Sequence, residues 1–281
     1  MKPLTDRQHW DSLYDSPVAG VPPVTPSRLK NAVKRLLGST LLEYMRDYRD
    51  YLLWDVTYPK FLTTGRGAKV LEVGSAPGYH LLRLRDAFGF EPYGVEYSPN
   101  GVELNRRLFR QHGISGDNVI QGDFFSPEFH SKYANWFDIV LSVGFIEHFT
   151  DVEGVVAKHV NVLAPGGRLV VIIPNLRGVN YLLAWVFCKD LIPLHNLSIM
   201  RRDKFCKLFP DDVTPQLCGY FGTFSFGIFN TRPESKRRYL LMMCDKVQRL
   251  LNALFRLLFG ARGAESRYFS PYLIFVGVKE R

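Results

Sequence analysis

The chain has 281 residues, 46% of them hydrophobic and 14% aromatic, with a formal net charge of +9. This composition excludes a disordered or collagen-like chain, and the length suits one large α/β domain or a core domain with an elaboration. The charge is unevenly placed: residues 1–175 hold 19 Lys+Arg against 19 Asp+Glu, so the 17 basic and 8 acidic residues of 176–281 supply the whole +9.

A neutral core with a basic C-terminal third points to an elaboration facing something anionic, or to a plain solvated face. The longest apolar run, residues 181–188, is too short to cross a bilayer, and the first residues lack the apolar centre of a signal peptide. Cys188, Cys206, Cys218 and Cys244 form no Cys-x-x-Cys pair and have no histidine at ligand spacing. They are expected to be free buried thiols in a reducing cytosol.

At the N-terminus, Trp10 and Tyr14 stand at i, i+4 and predict a short helix, followed by an extended segment with prolines at 17, 22, 23 and 26. Two helical stripes follow, Leu29, Val33, Leu36 and Leu37, then Leu41, Leu42, Tyr44, Met45, Tyr48, Leu52 and Leu53, with Pro59 expected to end the second. Residues 1–62 are therefore read as an arm and helices that cap a pocket, and 63–281 as the main domain.

From Lys69 the pattern becomes βαβ. Val70, Leu71 and Val73 suit a strand buried on both faces, and Gly74 and Gly78 allow a tight turn with bare main chain for a ligand to lie against. Such a unit is where open α/β sheets hold nucleotide-like ligands. The dinucleotide fingerprint fails, because Ala76 and Tyr79 replace its second and third glycines and Pro77 removes an N–H. Glu72 would repel a pyrophosphate and suits a cationic ligand. A second strand, residues 91–97, ends in Glu96, 22 residues after Gly74, the offset at which an acid meets ribose hydroxyls. Ser98 and Pro99 then open a helix to His112.

A third strand exits through Gly122-Asp123-Phe124-Phe125, where a phenylalanine would supply an apolar wall. A fourth spans residues 136–145 and leads into Ile146-Glu147-His148-Phe149-Thr150-Asp151. A helix over 151–163 precedes the turn Ala164-Pro165-Gly166-Gly167-Arg168 and a fifth strand to Asn175. Residues 176–208 read as a lid insertion containing a helix over 201–209. The sixth strand is expected at 216–228 and the seventh at 272–278. Between them, 233–259 reads as a long helix with one polar stripe, Asp245, Arg249, Asn252 and Arg256, and a broad apolar face that must be covered by the sheet and lid, a second copy, or a lipid surface.

Glu72-x-Gly74-x-x-x-Gly78, Glu96, Gly122-Asp123, the Ile146–Asp151 loop and Leu163-x-Pro-Gly-Gly-x-Leu169 together resemble class I S-adenosylmethionine (SAM)-dependent methyltransferases of the small-molecule, ubiquinone-biosynthesis type. The resemblance covers residues 69–175. It implies a doubly wound, Rossmann-like α/β sheet of seven strands, mostly parallel with the last antiparallel. It implies SAM as cofactor, with S-adenosylhomocysteine (SAH) as product, and contacts from Glu72, Gly74, Ser75, Ala76, Gly78, Glu96, Tyr97, Gly122, Asp123, Phe124, Ser142, Val143 and Gly144. Asp123 would accept from the adenine amino group. The Trp10-Asp-x-x-Tyr14 arm is similar to arms that close over the ligand pocket.

The expected reaction is methyl transfer to a small-molecule hydroxyl, with a lipid-linked acceptor, an RNA methyltransferase and a silent SAM-binding module as alternatives. His148 is the expected base, with Glu147 beside it, and Trp10, Tyr14, Asn175 and His195 the expected further acceptor contacts. No acid cluster accompanies Glu147 in the sequence, so no metal is expected. The missing Asp/Asn-Pro-Pro-Tyr/Phe motif argues against nucleic acid. Expected partners are the small-molecule acceptor, a membrane or lipid surface met by the basic C-terminal third, and a second copy in a homodimer. The expected location is cytoplasmic or peripheral to a membrane.

Overall fold

A computed structural model describes residues 3–14, 44–229, 235 and 237–280. The segment from Pro17 to Pro26 and the stripe beginning at Leu29 lie outside them. Seven strands make one sheet: β1 (Lys69–Val73), β2 (Glu91–Glu96), β3 (Val119–Gln121), β4 (Phe137–Val143), β5 (Leu163–Pro174), β6 (Val213–Phe221) and β7 (Tyr272–Lys279). Their order is β3-β2-β1-β4-β5-β7-β6. The first five strands pair in parallel, and β7 runs antiparallel to both β5 and β6.

The central strands are apolar without alternation because both faces are covered. On one face Val70, Ile139, Leu141, Val170 and Ile172 pack against Leu81 and Leu84 of α4 (Tyr79–Phe88) and Val102 and Phe109 of α5 (Pro99–Gln111). On the other, Leu71, Val73, Val140, Leu169 and Val171 meet Phe129 of α6 (Pro127–Tyr133) and Val155 and Val156 of α7 (Val152–Val162). The helices start where their caps say they should. Ser98 Oγ accepts from Gly101 N, Ser126 Oγ from Phe129 N and Asp151 Oδ1 from Gly154 N.

The N-terminal region divides. α1 (Arg7–Tyr14) lies against α5, held where Ser98 Oγ donates to Asp11 Oδ1 at 2.5 Å. α2 (Tyr48–Tyr51) continues through a π-helical stretch, Leu52–Thr57, into α3 (Tyr58–Phe61). Pro59 does not end this helix: it sits in the first turn of α3, where a missing N–H is least costly. Tyr48, Leu52 and Tyr58 pack with Leu81 on the sheet face. Among the described residues of the expected cap, the stretch from Pro3 through α1 lines the cavity described below, and α2 and α3 do not.

The region after β5 departs furthest from the sequence reading. The lid holds α8 (Val179–Cys188), short 3-10 stretches over Lys189–Leu194 and Leu197–Ile199, and a single-turn α9 (Arg202–Phe205) in place of the helix expected over 201–209. Cys206 and Cys218 are joined in a disulfide, which corrects the expectation that all four cysteines are free: the fold lays the end of α9 beside β6, with Cα atoms 5.9 Å apart.

β6 begins and ends earlier than expected. Its last partner on β7 is Tyr272, opposite Phe221. Beyond that point Gln248 supplies the missing partners, accepting from Phe226 N and donating to Phe224 O.

Gln248 belongs to α10 (Arg237–Phe259), where the expected burial is partly reversed: Asp245 and Arg249 of the polar stripe are exposed, but Asn252 is not. Gln248 and Asn252, bonded to each other at 2.9 Å, are buried. Met243, Leu250, Leu254, Leu257 and Leu258 face outward. The described residues contain no helix long and apolar enough to cross a membrane.

Candidate active site

The turn after β1 is shaped by two left-handed glycines. Gly74 has φ +72° and Gly78, the N-cap of α4, has φ +99°. A Cβ at Gly78 would lie 2.2 Å from Asn105 Oδ1, and one at Gly74 would lie 2.9 Å from the Phe145 ring. Asn105, fully buried on α5, donates to Ser75 Oγ at 2.7 Å and so ties the turn to the next βα unit. The sequence reading missed it, because a lone asparagine in a helix carries no signal of the loop it will meet.

Glu96 ends β2 with its carboxylate turned back on the same turn. Oε1 accepts from the main-chain N–H groups of Tyr97 and Ser98, both at 3.0 Å, and Oε2 from Ala76 at 3.4 Å. Burial raises its pKa, and these N–H groups hold it down in part. Tyr97 is pushed up to about 12 by burial and by Glu96 beside it. Gly122 N donates to Glu96 O, which sets the exit of β3 against the end of β2. Phe125 N donates to Asp123 Oδ1 at 2.9 Å.

These groups open on a cavity of about 1480 Å³. Gly74, Ala76, Glu96, Tyr97, Gly122, Asp123, Phe124, Val143, Gly144, Trp10, Tyr14 and His148 all line it. Both expected phenylalanines reach the wall. Phe124 is the more buried, meeting Phe129, His130 and His159, while Phe125 stacks near Phe145. Burial and the nearby Glu96 and Glu72 raise the Tyr14 hydroxyl strongly. The far wall, absent from the sequence reading, is formed by Phe187, Cys188, Lys189, Asp190 and Leu191 at the end of α8, with Ser235, Arg237 and Arg238 before and in α10.

Other expected residues do not line the cavity. Glu72 faces the α4 side of the sheet, 3.4 Å from His80 Nδ1, and His80 Nε2 meets Tyr58 OH at 2.9 Å. Ser75 and Gly78 shape the turn from behind. Ser142 is fully buried on β4. Asn175 is also fully buried; its Nδ2 donates to Ser270 O and its N to Pro271 O, which fixes the end of β5 rather than a ligand.

At the other end of the cavity lies the turn Ile146–His148 after β4. Trp10 stands edge-on to His148, with ring centroids 5.2 Å apart, and donates from Nε1 to Thr5 Oγ1. Trp10 and Tyr14 of the arm thus lie at the wall of this cavity. His148 Nδ1 lies 2.7 Å from Leu194 O. Burial and neighbouring His195 push its pKa down to about 4, so the ring is neutral at pH 7. A carbonyl only accepts, so Nδ1 carries the hydrogen and Nε2 is left as an acceptor. Glu147, fully buried beneath it, is pushed up to about 8 by burial. His195, outside the cavity lining, has its ring centroid 4.7 Å from that of His148.

Residues 64–200 match the family model described as a methyltransferase domain. Over 137 residues the chain is 23% identical to the ubiquinone biosynthesis O-methyltransferase of Mesorhizobium japonicum, covering 46% of this chain and 53% of that protein. Over 130 residues it is 24% identical to the tRNA U34 carboxymethyltransferase of Trichodesmium erythraeum, covering 44% of this chain and 37% of that protein. The chain thus spans about a third to a half of the length of these curated relatives. The solved geranyl diphosphate C-methyltransferase of Streptomyces coelicolor, in complex with Mg2+, geranyl diphosphate and SAH, shares the fold at a TM-score of 0.54 and 13% identity, covering 97% of this chain and 96% of that one. Residues 64–200 are accordingly a methyltransferase domain of the class I SAM-dependent superfamily.

Proposed function

We propose that the chain transfers the methyl group of SAM to a hydroxyl of a small-molecule acceptor held under the α1 arm. The observation that carries this is one continuous cavity joining Glu96 and Asp123 at one end to His148 beneath Trp10 at the other. Its volume of about 1480 Å³ exceeds the range of about 300–1,000 Å³ of ordinary ligand sites, so it suits a nucleoside and an acceptor together. In this reading Glu96 accepts from the ribose hydroxyls and Asp123 from the adenine amino group, with Phe124 and Phe125 against the purine. Gly74 and Ala76 bring bare main chain to the cofactor's amino-acid end, and Val143 and Gly144 border the methyl.

The leaving group is already good, so the protein's work is to position the two reactants and exclude water. Neutral His148 Nε2 then accepts the hydrogen of the incoming hydroxyl, and Trp10 closes over the pair. Glu72, Ser75, Gly78 and Ser142 support the loops from behind, and Asn175 takes no part. The test is transfer of isotope-labelled methyl from SAM to a panel of phenols, alcohols and amines, with products identified by mass spectrometry. Label on oxygen upholds the reading; label confined to nitrogen or carbon overturns its O-methyl part.

A lipid-linked acceptor is the second reading, favoured by the far wall. Lys189, Arg237 and Arg238 line the cavity there. On the outer sides of the same two helices Leu182, Trp185, Met243 and Leu250 are exposed. Basic and apolar side chains together suit the surface of an anionic bilayer. Co-sedimentation with vesicles containing anionic lipid supports this reading, and a monomer that stays in the supernatant removes it. A dimer in solution would instead assign the apolar face to a second copy.

A further inference from the structure

Among the described residues, Glu147 is a carboxylate with no exposed surface and no hydrogen-bond partner for either oxygen. An isolated buried carboxylate is strongly disfavoured unless it takes up a proton or something pairs with it. What surrounds it is two imidazoles. His148 Nε2 lies 3.9 Å from Glu147 Oε1. His195, 47 positions further along the chain, brings its ring beside that of His148. One ligand atom from each of the three side chains lies within 4.8 Å of the other two.

The orientation of both rings is fixed from behind. His148 Nδ1 meets Leu194 O and His195 Nδ1 meets Leu191 O, each at 2.7 Å. Since carbonyls only accept, both Nδ1 atoms hold the hydrogen and both Nε2 lone pairs are free. This is the outer-shell arrangement that orients metal-bound histidines. The two loops are also fastened to each other, as Asn196 N donates to Glu147 O at 2.7 Å and Asn196 Nδ2 to Phe149 O at 3.1 Å.

We infer that Glu147, His148 and His195 hold a divalent metal ion through one carboxylate oxygen and two Nε2 atoms, with an open coordination position towards the cavity that His148 lines. Two imidazoles and a carboxylate favour a borderline ion of the zinc, cobalt or iron kind over magnesium or calcium, which prefer oxygen ligands. Ligands at about 2.1 Å in a tetrahedral set stand about 3.4 Å apart, so small side-chain rotations close the present spacing. The ion supplies the positive charge that Glu147 lacks. The sequence reading expected no metal because no further ligand stood near Glu147 in the chain, and it is the lid that carries His195 there.

Where the inference touches the proposed reaction, it rests on that reading. An ion on His148 Nε2 would replace the base role given to that atom: it would acidify the acceptor hydroxyl, and the released proton would pass to solvent water. The metal site itself stands on the three side chains alone.

Co2+ titrated into the chelator-treated full chain tests it, with the visible spectrum as readout. One ion per chain with bands of a low-symmetry nitrogen/oxygen site is expected. His195→Ala should weaken Co2+ roughly tenfold or more. His195→Cys should restore binding and add a sulfur-to-cobalt band in the near ultraviolet. SAH affinity, measured separately by calorimetry, should be unchanged in both variants. Absence of saturable Co2+ binding, or an identical spectrum and affinity in His195→Ala with the far-ultraviolet circular dichroism intact, overturns the site. Co2+ binding without SAH binding would uphold the metal and sink the cofactor assignment, and the converse separates them the other way.

Discussion

The parallel half of the sheet and the elaboration after β5 treat apolar side chains in opposite ways. In the parallel half, Leu71, Val73, Leu81, Leu84, Val140 and Val155 are buried almost completely. After β5, Leu182, Trp185, Met243, Leu250, Leu257 and others on α8 and α10 stand in the open, while Gln248 and Asn252 are inside. The polar pair is inside because the chain after β6 has left the ladder and needs partners for its main chain. An unpaired buried main-chain group costs about 1–3 kcal/mol, so a glutamine that satisfies two of them outcompetes a leucine at that position. One half therefore spends its hydrophobic residues on its own core, whereas α8 and α10 leave part of theirs exposed.

The largest effect is expected in the parallel half at Glu96, where two charge-assisted bonds of about 1.5–3 kcal/mol each would be lost. Calorimetry should show Glu96→Ala weakening SAH by roughly 10²-fold or more. Unchanged affinity would remove the cofactor site from the end of β2. Next, Leu84→Ala should lower unfolding free energy by about 2–5 kcal/mol in a denaturant titration, since the side chain is fully enclosed.

Gly78→Ala follows, at about 1–3 kcal/mol. It forces a left-handed φ on alanine and drives a Cβ into Asn105. It should also loosen SAH, because Asn105 is the clamp on Ser75. The smallest effect belongs to α10: Leu250→Ala should change stability by no more than about 0.5 kcal/mol, as its side chain is exposed. A loss comparable with Leu84→Ala would mean that α10 is covered in solution, and its dependence on protein concentration would separate a second copy from a partner of another kind.

Legibility follows the same boundary. Glu96, Gly122 and Asp123 were readable because each sits at the end of a short strand whose partner is the next βα unit. The distance along the chain then fixes the distance in space. Phe124 and Phe125 were readable as a wall, though which would be deeper was not. Glu72 had the right address and faced the other side of the sheet, since alternation along β1 sends it towards His80 while Val73 turns to the cavity. The sixth strand was misplaced because Phe221, Phe224, Phe226 and Phe229 look alike in sequence, and only the end of β7 decides where pairing stops.

Local patterning along the chain was enough to place β1 to β5, the turn at Gly74–Gly78, the acids at the ends of β2 and β3, and the arm residue Trp10. All of these follow from local periodicity and from glycine and proline chemistry acting over a few residues. Tertiary structure alone decided which face of α10 points inward, that Cys206 meets Cys218, and that His195 stands beside Glu147 and His148. Helical periodicity says which residues share a face but not what that face will meet. Contacts between segments dozens of residues apart are set by how the lid packs on the finished sheet, and no spacing along the chain encodes that path.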